Sequence, residues 1–189
     1  EDESCEHDDE QRFILGSDVP RAPEHHEAAW CVREAIRYLE EERVPDRPFF
    51  LNLGFYGPHQ PYLCPPPWDR SLYPPETIPL PDDFYYETGD KPVLTRHGKL
   101  EKTRRRAAEG WTEDTYREML SAYYGYVSWI DHCLGELFDY LKNAGLYENT
   151  LIVFTADHGD FGGQYRCFFK GLPHEGSAHV PMIVRDPRT

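Results

Sequence analysis

The stretch Leu151-Ile152-Val153-Phe154-Thr155-Ala156-Asp157-His158-Gly159-Asp160 constrains this chain more than any other, together with Lys170 twelve residues past His158. A run of β-branched and aromatic residues predicts a buried strand. It stops at Asp-His-Gly, where two side chains able to ligate a metal meet a residue that permits tight backbone geometry. In open α/β sheets, ligand sites gather just beyond the carboxyl ends of strands. An Asp and a His at such an edge can both reach a cation, and a lysine on the following loop can hold an anion against it.

The flanking sequence supplies the rest of the architecture. Residues 1–22 are acidic and poor in apolar side chains apart from Phe13-Ile14-Leu15, so they are expected to be an irregular segment, partly disordered. Ala29, Val32, Ile36 and Leu39 recur at helical spacing and predict a helix from Pro23 to about Arg43. Phe49 to Phe55 is apolar on both faces, as central parallel strands are. The connection over 56–111 is rich in Pro and Tyr at its start, and a loop of this length inside a domain is usually functional. Its basic residues Arg96, Lys99, Lys102, Arg104, Arg105 and Arg106 read as a solvated loop, with a positive rim for an anionic substrate as the sharper alternative. Thr112 is placed to cap a long helix with Glu113 and Asp114 in its first turn. Tyr116, Leu120, Tyr123, Val127, Ile130, Leu134, Leu137 and Leu141 form its apolar stripe, and Gly145 its stop. Val180 to Val184 starts a further strand. This alternation of helix and strand predicts an α/β fold, a mostly parallel sheet flanked by helices.

Several blocks together resemble the sulfatase family of the alkaline-phosphatase-like superfamily. They are Asp157-His158-Gly159, Gly163, Phe169-Lys170, Glu175-Gly176-Ser177 and Val180-Pro181-Met182-Ile183-Val184-Arg185. The strand at 49–55 followed by Pro58-His59-Gln60-Pro61, and the helix from Tyr123 through Asp131 to Leu134-Gly135, match further family blocks in the family's order. The resemblance implies a partial alkaline-phosphatase-like sandwich, with residues 23–189 forming part of one catalytic domain. It implies a hydrolase acting on sulfuric esters through a formylglycine nucleophile. The Cys-x-Pro-Ser-Arg-type sequence that carries this group, and the family's early Asp-Asp pair, are not among these 189 residues. The nearest imitation is Cys64-Pro65-Pro66-Pro67-Trp68. With no initiator Met and a stop just past a strand, the expectation is a segment, truncated at both ends and inactive alone, whose formylglycine lies outside the chain.

The same resemblance assigns the site. Asp157 and His158 become metal ligands. A divalent cation supplies positive charge where the tetrahedral anion sits, without proton bookkeeping. Calcium is the family's usual ion; an imidazole ligand is less typical of calcium and leaves Mn2+ or Zn2+ open. Lys170 would contact a sulfate oxygen and stabilise transition-state charge, as a catalytic and substrate-binding residue. His59, in a proline-stiffened loop, would hydrogen-bond the sulfate and protonate the leaving oxygen. His174 and Glu175 are supporting candidates. Two departures from the family pattern stand out: Gly163-Gln164-Tyr165-Arg166 stands where many members carry Gly-x-His-Gly, which bears on substrate class and makes Arg166 a candidate anion contact, and His179 replaces an Arg before Val-Pro.

With 20 basic and 34 acidic residues the formal charge is −14, which argues against nucleic acid or an anionic membrane as partner. No apolar run approaches a membrane span. The five cysteines form no CxxC pair, and Cys31 and Cys133 fall on predicted helices, where buried thiols are expected. The expected partner is a small-molecule or carbohydrate sulfate ester. Two other readings stay open: a phosphodiester or phosphonate monoester hydrolase of the same superfamily, and a non-catalytic sulfatase-like binding protein.

Overall fold

A computed structural model describes residues 14–15, 22–86, 106 and 109–188. The chain divides into two units, one of residues 1–74 and 121–149, the other of residues 75–120 and 150–189.

In the first unit, helix α1 runs Glu27–Arg37, preceded by a 3-10 turn at Pro23–His25 and continued by a π-helical turn at Tyr38–Glu42. Together these fill the span predicted for one helix. Ala28, Ala29, Val32, Ala35 and Leu39 are its buried residues. The cap is His26, whose Nδ1 accepts from the Ala28 N–H at 3.2 Å. Its Nε2–H therefore donates to the Leu63 carbonyl at 2.8 Å. Of the opening acidic segment, Ile14 is fully buried and its carbonyl accepts from the Tyr62 N–H at 2.7 Å.

Helix α2, Glu113–Asn143, is as long as its apolar periodicity predicts. Its buried residues include Tyr116, Leu120, Ile130, Leu137 and Leu141 from the expected stripe, with Met119, Tyr126, Trp129 and Cys133 beside it. Val127 is 44% exposed, against expectation. The buried residues Met119, Tyr126, Trp129 and Cys133 lie to one side of that stripe, so the helix buries a face centred beside the expected one and leaves Val127 on the opposite flank. The helix ends as Gly145 predicts: with φ at +66° its N–H bonds to the Lys142 carbonyl, and the Leu146 N–H bonds to that of Leu141. This is the paired geometry of a Schellman stop.

In the second unit, strand β1 (Ile152–Thr155) pairs with β2 (Met182–Arg185), and a short helix α3 (Glu175–Ala178) precedes β2. The α/β fold class stands, but this ladder is antiparallel, with Ile152 opposite Arg185 and Thr155 opposite Met182. A mostly parallel sheet is not what the described residues form. Residues 49–55 of the first unit carry no ladder partner among the described residues, and Phe50 is 88% exposed. The reason is physical: apolarity marks a segment as able to pair, but says nothing of which chain it pairs with or in which direction. Val153, Phe154, Met182, Ile183 and Val184 are likewise exposed.

The basic residues Arg96 to Arg105 lie outside the described residues. Arg106 is buried, with its guanidinium 4.7 Å from the centre of the Trp111 ring and 5.8 Å from that of Phe169, so it is not a solvated loop residue. Among the described residues no helix is long and apolar enough to cross a membrane. The buried cysteine reading holds for Cys133, where burial pushes the thiol up to about 12. Cys31 is half-buried.

A Cβ on Gly145 would meet no heavy atom within 4 Å, so Gly145→Ala tests the left-handed backbone alone. The expected cost is about 1 kcal/mol, read as roughly fivefold faster amide exchange at Ala144 to Leu146. Unchanged exchange there would contradict the Schellman assignment.

Candidate functional site

At the end of β1 the chain turns at Asp157. Its Oδ1 accepts from the His158 N–H at 3.0 Å, which shapes the turn and leaves Oδ2 outward. The His158 Nδ1 lies 2.8 Å from the Gly159 carbonyl. A carbonyl only accepts, so Nδ1 carries the proton and Nε2 presents a lone pair in the neutral ring. That Nε2 stands 3.6 Å from Asp157 Oδ2, too long for a hydrogen bond. Two ligands of one divalent ion stand roughly 3 to 3.5 Å apart, given usual ligand distances. One carboxylate oxygen and one imidazole nitrogen at this separation have the donor types and spacing that a divalent metal takes. Among the described residues no cluster of three or more His, Cys, Asp or Glu adds to them, so these two could supply only part of a coordination shell.

The loop from Asp160 to Gly171 carries Lys170, and its shape is unusual. Gly162, Gly163, Tyr165, Arg166, Phe169 and Gly171 all have positive φ. Three of these are not glycine, and such residues persist only where the surroundings over-determine them. Asp160 is the main determinant. Its Oδ1 accepts from the Gly162 N–H at 2.8 Å, and both carboxylate oxygens lie 3.0 Å from the Phe169 N–H. The Phe161 N–H donates to the Phe169 carbonyl at 2.9 Å. Beneath the loop, Phe161, Cys167 and Leu172 form a small core, with Tyr165 packed against it. The first turns of α2 hold the other side: the Tyr116 ring stacks on Phe168 at 5.3 Å and 12°, and its hydroxyl donates to the Arg166 carbonyl at 3.0 Å. Lys170 follows these anchors. It is half-buried, and no hydrogen bond or ion pair joins it to another described residue.

The turn itself is fastened to α3. The Gly159 N–H donates to the Ser177 carbonyl at 2.9 Å, and Ser177 Oγ accepts from the Gly171 N–H at 3.3 Å. Ser177 is buried and so ties both ends of the Lys170 loop to one point. Of the two supporting candidates, His174 packs against the Phe161 and Tyr165 rings, while Glu175 is exposed and pairs with His179 Nδ1 at 3.2 Å.

His59 belongs to the first unit and is described there by itself. Its Nδ1 lies 2.9 Å from the Gln60 carbonyl, so here too Nδ1 carries a proton and Nε2 is the free position. Its ring leans on that of Tyr56, with centroids 4.8 Å apart. At Cys64, the imitation of a nucleophile motif, burial pushes the thiol far above the ordinary range, with the charge of Asp69 adding to it, which disfavours the thiolate. Asp160 carried no signal as an isolated residue, because its partners are backbone amides up to nine residues away.

The solved structure of the phosphonate monoester hydrolase of Agrobacterium radiobacter superposes with a TM-score of 0.77 at 29% identity, covering 91% of this chain and 36% of that one. This defines an α/β fold of the alkaline-phosphatase-like class. The family model described as Sulfatase matches residues 18–189. The chain belongs to the sulfatase family. It is 34% identical over 168 residues to an arylsulfatase of Clostridium perfringens, a match covering 86% of this chain and 32% of that protein. It is 30% identical to the multifunctional alkaline phosphatase superfamily protein PehA of Trinickia caryophylli, covering 90% of this chain and 34% of that protein. The chain thus spans about a third of the length of these relatives.

Removing the Asp160 carboxylate leaves the Phe169 and Gly162 amides without an acceptor, at a cost of about 1–3 kcal/mol. Asp160→Ala is expected to speed amide exchange at both positions at least tenfold, whereas Asp160→Asn, which keeps one acceptor oxygen, should slow it again. Equal exchange in all three proteins would show that the loop is held otherwise.

Proposed function

We propose that this chain is part of a sulfatase-type hydrolase that cleaves a sulfate ester, with a formylglycine beyond these residues as nucleophile. The observation that carries the reading is the facing pair of His158 Nε2 and Asp157 Oδ2, with Nδ1 already engaged by the Gly159 carbonyl. These two side chains would hold a divalent metal, most simply Ca2+, with Mn2+ or Zn2+ as alternatives. Bound there, the ion supplies Lewis-acid charge against the sulfuryl oxygens.

The chain's own residues do the rest. The Lys170 ammonium, without a carboxylate partner among the described residues, is suited to a tetrahedral anion as a mobile point charge. It stabilises charge that grows in the transition state. His59 acts through Nε2, because its Nδ1 proton is committed to Gln60. As the imidazolium it gives that Nε2 proton to the departing alcohol oxygen, and returns to neutral. The substrate is a small-molecule or carbohydrate sulfate ester.

A second reading is favoured by one observation, the fold similarity to a phosphonate monoester hydrolase at a TM-score of 0.77. Such an enzyme would use the same metal pair on a phosphorus centre. Paired kinetics of the complete protein on a sulfate ester and the matching phosphonate monoester or phosphodiester separate the two. A non-catalytic binder would turn over neither.

In the complete protein, Asp157→Ala is expected to lose bound metal and turnover together, and Lys170→Ala to lower kcat by roughly 100- to 1,000-fold at unchanged metal content. Elemental analysis alongside steady-state kinetics checks both. Full turnover in Asp157→Ala with the metal still present would defeat the assignment.

A further inference from the structure

Glu27 is the first residue of α1, and a carboxylate there is ordinarily no more than a favourable charge at a helix N-terminus. Here it is engaged elsewhere. Its Oε1 accepts two hydrogen bonds, from the Gly57 backbone N–H at 3.1 Å and from the Tyr126 hydroxyl at 3.1 Å. Its Oε2 lies 3.7 Å from the Cys31 Sγ, one turn along α1. All these groups belong to the first unit.

Tyr126 is buried on α2, and its ring packs edge-on against His26, the cap of α1, with centroids 5.2 Å apart. The same ring fills the space where a Cβ on Gly57 would stand. Burial, with the Glu27 charge second, pushes the Tyr126 phenol well above its ordinary range, so the hydroxyl remains a donor. Gly57 is therefore held by a hydrogen bond to a carboxylate and by an aromatic ring at van der Waals range. Only Pro58, whose φ is fixed by its ring, separates it from His59. The His59 N–H bonds back to the Tyr56 carbonyl at 3.2 Å. The imidazole thus inherits its position from the backbone at Gly57.

We infer that Glu27, acting with Tyr126, is a positioning residue for His59: it anchors the Gly57 amide and so sets where the imidazole Nε2 stands, without touching substrate. The inference rests on the role given to His59 above. A displacement of about 1 Å in a reacting group can cost on the order of 100-fold in rate, which is the scale at stake.

The test uses the complete enzyme on a sulfate ester, with kcat and KM measured for Glu27→Ala, Glu27→Gln, His59→Ala and the double variant Glu27→Ala/His59→Ala at matched metal content. Glu27→Ala is expected to lower kcat roughly 10- to 100-fold with little change in KM. Glu27→Gln, whose amide oxygen can accept both hydrogen bonds, should restore most of it. Once His59 is gone there is nothing left to position, so the second substitution should cost less than about twofold further. Where Glu27→Ala fails to fold, Gly57→Ala, whose Cβ must displace the Tyr126 ring, is expected to give the same pattern against His59→Ala. Additive losses in the double variant would overturn the inference, as would a Gln variant as impaired as the Ala variant, or an unimpaired Glu27→Ala. Unchanged kcat in His59→Ala alone would instead bring down the role of His59, and this result is distinguishable from the others.

Discussion

The site depends on one short hydrogen bond, from His158 Nδ1–H to the carbonyl of its own neighbour, Gly159. A neutral imidazole has one donor and one acceptor nitrogen, and a bond that commits the donor decides where the lone pair points. Here it leaves Nε2, 3.6 Å from Asp157 Oδ2, as the open position. Had Nδ1 been left free, the ring could turn and the tautomer change, and no stable oxygen–nitrogen pair would face one direction. Because the acceptor is main-chain, no other side chain has to be in place for the ring to be oriented.

The same economy recurs in the two loops that carry Lys170 and His59, the other residues proposed for the site. In each, a carboxylate accepts from backbone amides: Asp160 from Gly162 and Phe169, and Glu27 from Gly57. Hydrogen bonds to an ionised acceptor are stronger than neutral ones, and each replaces ladder hydrogen bonds that an irregular loop lacks. Loops without regular structure can in this way hold a defined shape. The aromatic rings of Tyr116 and Tyr126, both on α2, close the opposite face of each loop.

Much of this was legible in the residues, and the part that was not has a common cause. Asp157 and His158 are neighbours in the chain, so their convergence needed only a turn. Helix α2 and its stop at Gly145 were legible because periodicity and left-handed geometry are local properties. The span of α1 was legible too, but not its change to π-helical winding at Tyr38. Pairing was not legible: Phe49 to Phe55 looks like a strand by composition, yet finds no ladder among the described residues, and Ile152 to Thr155 pairs antiparallel. Glu27 and Asp160 were missed for a related reason. An amide N–H has no identity in a sequence, so a carboxylate that binds one thirty residues away looks like any solvated Glu.

The left-handed residues of the Lys170 loop carry a consequence for engineering. Tyr165, Arg166 and Phe169 adopt their backbone angles because the loop demands it, not because those side chains favour it. A designer who transplants this loop sequence from a relative into the scaffold transfers side chains, while the recipient imposes its own curvature. Residues whose intrinsic preferences are for right-handed or extended backbone would then resist the graft. Exchanging the whole segment, from the end of β1 through α3, keeps donor side chains and donor curvature together.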